Sequence, residues 1–228
     1  MFATVAGMGN SRSGPVRDLS LSGVTSASVL LGRTSGFART LELPEEISDA
    51  LPNLTIGSGK TIACRGLSAV SVALRIAASA CPGGRWTAII SAGTGTGFSV
   101  NPAAAREAGV ALERTLWIGV GDVAATAAMC MESCAVILVC ASMGIRDQRR
   151  LQARAAHTAC TLILVNPEQG SALNEVDAVF ETLDERWEGL VGGYGHLMQR
   201  EIRLAVRVRH APPLPRVNVR LKHVSAHA

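Results

Sequence analysis

Apolar residues recur along the chain in two patterns. Ala135 to Cys140 (AVILVC) and Cys160 to Val165 (CTLILV) are almost unbroken apolar runs. A strand with no polar side must be buried on both faces, as in a parallel sheet covered by helices. Thr61 to Cys64, Trp86 to Ser91 (WTAIIS) and Leu116 to Val120 are further short, β-prone runs. Leu67 to Ala80 (LSAVSVALRIAASA) has helical length and good helix formers, and a shorter helix begins at Leu43-Pro44-Glu45-Glu46 and ends before Pro52. Asn101-Pro102 pairs an N-cap with a first-turn proline, and Gly109 terminates that helix. Asp122 can cap a helix running through Met131, and Asp147 one that carries Arg149, Arg150 and Arg154. Short strands alternating with helices predict βαβ units and an open α/β sheet.

Beyond Asn174 the pattern changes. Ala178 to Trp187, Glu201 to Arg209 and Arg216 to Lys222 read as strands joined without helices. In the second, Ile202, Leu204, Val206 and Val208 alternate with Arg203, Arg207 and Arg209; in the third, Val217, Val219 and Leu221 alternate with Arg216, Asn218, Arg220 and Lys222. This period of two predicts half-exposed antiparallel strands that extend the sheet, each with a basic outer face. Met1 to about Phe37 is rich in Ser, Gly and Thr and lacks sustained periodicity. The expected organisation is a mobile arm over residues 1–37 and one domain over 38–228.

Composition narrows the class. With 228 residues, 48% hydrophobic and 18% charged, the chain can bury a sizeable core, which excludes disorder of the whole. Its longest apolar runs are about seven residues, against roughly 20 for a membrane span. No basic segment precedes an apolar stretch at the N-terminus, so a soluble cytoplasmic protein is expected. Most of the six cysteines stand inside apolar segments and read as small core residues. Cys130 and Cys134 stand four apart, which on a helix puts both on one face, but two thiolates do not close a zinc site and no His stands near them in sequence, so no metal is expected. The net charge is +4; from Gln199 onward seven basic residues against one acid, Glu201, give that tail +6 and leave −2 for the rest.

Two constellations carry candidate chemistry. Gly57-Ser58-Gly59-Lys60-Thr61 invites a P-loop reading, with Gly57, Gly59, Lys60 and Thr61 as nucleotide ligands. A P-loop needs a glycine five places before its Gly-Lys pair, where this chain has Leu54, and a helix directly after, where it has β-prone Thr61-Ile62-Ala63-Cys64. A turn leading into the first strand is the expectation, and an ATPase the alternative. The loop after that strand, Arg65-Gly66-Leu67-Ser68-Ala69-Val70, has one glycine and no Lys-Thr pair, so it encodes no phosphate cradle. Gly93-Thr94-Gly95-Thr96-Gly97 reads as a loop, His157 as part of a solvated helix face, and Ser142 lacks the frame of a hydrolase nucleophile. No catalytic residue and no cofactor is therefore assigned.

The second constellation is a comb of Arg200, Arg203, Arg207, Arg209, Arg216, Arg220 and Lys222. Alternate strand residues stand about 6.6 Å apart, comparable with the phosphate spacing of an extended single strand. The tail has no Phe, Tyr or Trp to stack on bases, whereas an acidic protein surface would use the same guanidinium groups. A charged sheet edge also guards against aggregation.

The stretch from Asn101-Pro102 through Arg106-Glu107-Ala108-Gly109-Val110, then Leu112-Glu113-Arg114 and Leu116-Trp117-Ile118, resembles a helix and following strand of the ImuA-type accessory proteins of bacterial mutagenic translesion synthesis. Ala135 to Cys140 resembles the strand that ends in the metal-linked Asp of RecA-fold ATPases, and Thr161 to Asn166 is similar to the next strand. The resemblance, closest to the actinobacterial ImuA-prime branch, runs from about Leu43 to His223. It implies a RecA-like core: a mostly parallel sheet flanked by helices and extended by C-terminal antiparallel strands. Where the ATPases carry Gly-Lys-Thr this chain has Leu67-Ser68-Ala69; where they carry an acid after the second strand it has Ala92-Gly93; where Asp holds Mg²⁺ it has Cys140. Phosphoryl transfer is mostly positioning and electrostatics performed by those groups. The resemblance thus implies a non-catalytic adaptor in DNA damage tolerance. Its implied partner is an ImuB-like Y-family subunit, with an error-prone C-family polymerase and the sliding clamp reached indirectly. Single-stranded DNA or RecA itself are the alternative partners, for a modulator of recombination.

Overall fold

Eight strands form one mixed sheet in the order β3-β2-β4-β5-β1-β6-β7-β8, and β7 alone runs against the other seven. The computed structural model describes residues 40–81, 84–92, 100–165, 175–191 and 194–221. The segment 1–37, the Gly93–Gly97 loop, Asn166, Lys222, His223 and His227 lie outside the described residues. In chain order the elements are α1 (Glu45–Ala50), β1 (Thr61–Gly66), α2 (Ala69–Ala80), β2 (Trp86–Ala92), α3 (Pro102–Glu107), β3 (Thr115–Val120), α4 (Val123–Cys130) and β4 (Cys134–Cys140). They continue with α5 (Ile145–Thr158), β5 (Thr161–Val165), β6 (Ala178–Val191), β7 (Tyr194–Val208) and β8 (Val217–Leu221).

The unbroken apolar runs occupy the middle of the sheet. Every residue of β4 and of β5 is buried, because helices cover both faces there. On one face α1, α2 and α3 pack over Ile62, Ile89, Val136, Leu138, Ile163, Phe180, Ile202 and Leu204. On the other, α4 and α5 cover Ala88, Ile90, Ile137, Val139, Leu162 and Leu164. That second pair of helices does not reach β7 and β8, whose outward-facing residues are left to solvent.

The expected caps are met at two helices and corrected at a third. Asn101 accepts the Ala103 N–H at 2.8 Å with Pro102 behind it, and Asp122 accepts the Ala125 N–H at 2.9 Å. At α5 the cap position belongs to Gly144; Asp147 lies inside the first turn, where its charge suits the helix dipole and pairs with Arg150 at 3.8 Å.

The C-terminal strands also differ from expectation. β6 pairs with β1 in parallel, through Ile62↔Ala178 to Gly66↔Thr182, so only the β6–β7 and β7–β8 contacts are antiparallel. Both β6 and β7 extend further than the sequence pattern implies, forming a hairpin closed by Val191↔Tyr194. Bulges between Thr182 and Asp184 and between Glu188 and Leu190 shift the alternation, and the second lies just past Trp187, where the expected strand ended. Among the described residues, no helix is long and apolar enough to cross a membrane.

Candidate functional site

Two regions hold the residues singled out by sequence: the ends of β1 and the open face of β6, β7 and β8. Gly57 to Thr61 sits at the amino end of β1. It is a turn: Gly57 bridges to Thr40, and Thr61 is already a buried strand residue. Gly59 has φ +75°, and a Cβ there would lie 3.1 Å from Ala159 Cα and 3.2 Å from the Ala155 carbonyl oxygen. The glycine therefore serves close approach to the end of α5. Lys60 Nζ stands 3.2 Å from Asp177 Oδ1, and Asp177 Oδ2 accepts the Thr61 N–H at 2.9 Å. The segment is followed by a strand, so it does not deliver its backbone N–H groups and Lys60 to one helix N-terminus as a P-loop would.

At the carboxyl end of β1 the chain turns into α2 over Leu67 and Ser68. Gly66 has φ +89°, and a Cβ there would stand 2.2 Å from the Thr182 carbonyl oxygen, so β6 leaves room only for glycine. Ser68, 1% exposed, occupies the cap position of α2 but makes no capping bond. Its hydroxyl instead donates to Glu185 Oε2 at 2.6 Å. Arg200 donates to the same carboxylate oxygen and to Ser68 Oγ, each at 2.6 Å, and to Ser71 Oγ at 2.9 Å. The guanidinium lies 4.7 Å from the centre of the Trp187 ring, whose Nε1–H donates to Glu185 Oε1 at 3.1 Å. The hydrogen bonds from Arg200, Ser68 and Trp187 outweigh burial and hold the Glu185 carboxyl down at about 2. A carboxylate of the protein's own thus stands at the strand end and helix start where an α/β fold would bring a phosphate. At the ends of the other two strands named above, β4 closes with fully buried Cys140 and β2 with Ala92.

Arg200 consequently leaves the comb. It shares its side of β7 with buried Ile202 and Leu204 and faces α2. Its even number, in step with Ile202, carried that information in the sequence. Arg203, Arg207, Arg209, Arg216 and Arg220 are exposed, while Lys222 lies outside the described residues. Acids intervene among them. Arg203 sits opposite Asp184, Arg220 Nε stands 3.9 Å from Glu201 Oε1, and Arg65 stands 3.8 Å from Glu181. Arg209 donates to the Glu175 carbonyl at 3.3 Å. A groove of about 550 Å³ crosses this face, lined by Asp184, Arg186, Glu201, Arg203, Arg216 and Asn218. The face is an alternation of charges with an arginine excess, not a uniform basic strip. Nothing in the sequence pattern pointed to Glu185 or Ser68, which meet across 117 residues of chain.

The comparison with known families covers the segment that carries β1 to β5. Residues 49–170 match the family described as the MT3502 N-terminal domain. The chain belongs to that family. The matched span runs from the end of α1 past β5, and includes the β1–α2 turn with Ser68; the hairpin that contributes Glu185 and Arg200 follows it. No curated protein sequence matches the chain.

Proposed function

We propose that this protein is a non-catalytic RecA-like adaptor in DNA damage tolerance, which binds an ImuB-like Y-family subunit through the open face of β7 and β8. The RecA-like reading is supported by the strand order and by β7 as the single reversed strand; the three C-terminal strands close the sheet in the order in which the RecA core closes. The observation that carries the non-catalytic reading is the Glu185 carboxylate bonded to Ser68 at the start of α2. A phosphate brought there would meet a fixed negative charge, and Arg200, the cation bonded to Ser68, is already paired to that charge.

The mixed face supports a protein partner over nucleic acid. Glu181, Asp184 and Glu201 lie among the arginines on adjacent strands and would stand against a phosphate backbone, whereas a protein surface can answer both signs. Titration of the purified protein with Mg·ATP tests the adaptor reading against the ATPase alternative. No binding is expected into the millimolar range. Micromolar binding lost on Lys60→Ala would overturn the proposal and assign Gly57 to Thr61 as a nucleotide site.

A further inference from the structure

The groove on the open face contains acids that are all engaged and arginines that are not. Glu185 is held by Arg200, and Glu201 stands against Arg220. The Asp184 carboxylate accepts the N–H of Glu185 at 2.9 Å and makes no ion pair with Arg203 across the strand. Arg186, Arg203 and Arg216 also line the groove; all three are exposed, and among the described residues none takes part in an ion pair or hydrogen bond. Arg203 and Arg216 belong to the C-terminal comb, whereas Arg186 comes from β6.

Their placement is regular. Arg186 stands opposite Glu201, and Arg203 stands opposite Asp184 on one side and Asn218 on the other. Arg216 comes two residues before Asn218 and shares its side of the sheet. The three arginines therefore step diagonally across β6, β7 and β8, one strand and two residues at a time. Diagonal neighbours on one face of a sheet lie about 7–8 Å apart. Alternate side chains of an extended peptide are about 6.6 Å apart, a difference that flexible arginine side chains absorb. Resting on the protein-interface reading of this face, we propose that the groove binds an extended acidic segment of the partner, with carboxylates on alternate residues seated on Arg186, Arg203 and Arg216. Each guanidinium can hold a carboxylate through two parallel hydrogen bonds. A peptide also carries backbone N–H donors between its carboxylates, and these answer Asp184 and Glu201 beside the arginines. A DNA backbone offers acceptors alone and would set its phosphates against those two acids.

The test is fluorescence anisotropy of a labelled peptide, with glutamate at three alternate positions and serine between them, titrated with the full-length chain at low salt. The expected dissociation constant is below about 1 mM, and at least about fivefold tighter than for the same residues reordered with the glutamates in succession. Arg186→Gln, Arg203→Gln and Arg216→Gln should each weaken binding at least about threefold. Arg203→Lys, which keeps the charge and loses the fork, should weaken it at least about twofold, whereas Arg146→Gln, on α5 outside the groove, should change it by less than that. No binding at about 1 mM, equal binding of the reordered peptide, or indifference to Arg186→Gln and Arg216→Gln would overturn the proposal. An oligothymidylate bound more tightly than the peptide and weakened by the same changes would overturn it in favour of nucleic acid. The ImuB-like subunit separates the groove from the partner's identity. A chain that binds the peptide and not the subunit refutes that partner and supports the groove, whereas a chain that binds the subunit and not the peptide refutes the acidic segment alone.

Discussion

Replacing Glu185 by Gln removes one charge from the Ser68–Glu185–Arg200 cluster with little change of shape. The difference between an ordinary glutamate at 4.5 and one at about 2 corresponds to about 3 kcal/mol favouring the folded, ionised form. Water reaches 22% of the Glu185 side chain and 16% of Arg200, which lowers the expected cost of Glu185→Gln to roughly 2 kcal/mol at neutral pH. The pH dependence has a definite sign. A carboxyl depressed in the folded state contributes fully above its unfolded value of about 4.5, and the contribution is lost as pH falls from there towards about 2. Urea unfolding of both proteins at pH 7, 5, 4 and 3 reads this directly, because the other carboxylates titrate in both and cancel. The gap between wild type and variant should be near 2 kcal/mol at pH 7 and 5 and should shrink steadily below pH 4.5. Adding Arg200→Met to the variant should cost less than the sum of the single changes, since no unpaired charge is then left behind. A gap under about 0.5 kcal/mol, or one that does not change with pH, would refute the claim that this cluster fastens the β6–β7 hairpin to α2.

Two further predictions follow from packing. Gly66→Ala should destabilise the protein by roughly 3 kcal/mol, read from the urea midpoint, because it combines a positive φ with backbone overlap at Thr182; Gly57→Ala, with nothing nearer than 3.9 Å and no positive φ, should change stability by less than about 0.5 kcal/mol. Burial pushes the thiol of Cys134 up to about 11 and those of Cys140 and Cys160 up to about 12, and raises Cys64 as well. Burial raises the half-buried Cys130 thiol as well, so a chromogenic disulfide at pH 8 should titrate Cys81 first and Cys130 more slowly in the native protein, and the four buried cysteines only after denaturation.

The elements that were legible in sequence are those whose signal is local. The runs at β4 and β5 announce strands buried on both faces because helices cover both sides of a parallel sheet there. Asn101 and Asp122 announce helix starts because their caps reach only two or three residues ahead. The alternation in β7 and β8 placed Arg203, Arg207, Arg216 and Arg220 on the open face. Arg200 was misassigned because its charge was weighed ahead of its parity; a buried arginine is acceptable only with a partner, and that partner, Glu185, is a cross-hairpin neighbour. The part of the hairpin from Glu188 to Val191 and from Tyr194 to Arg200 escaped because a bulge between Glu188 and Leu190 breaks its period of two, although Gly192-Gly193 is a two-residue hairpin signal. The parallel pairing of β6 with β1 and the place of β3 at an edge are properties of strand order, which no single segment encodes.

The central claim is that the open arginine-bearing face serves a protein partner. Its most direct test is titration calorimetry of this chain against a purified ImuB-like Y-family subunit, comparing wild type with a variant in which Arg203, Arg207, Arg216 and Arg220 are all replaced by Glu. The account predicts a wild-type complex that the variant fails to form while retaining its fold, with single-stranded DNA binding weak in both proteins. A complex that survives the four reversals, or a wild type that ignores the subunit and instead binds single-stranded DNA with a steep salt dependence erased by the same changes, would contradict it.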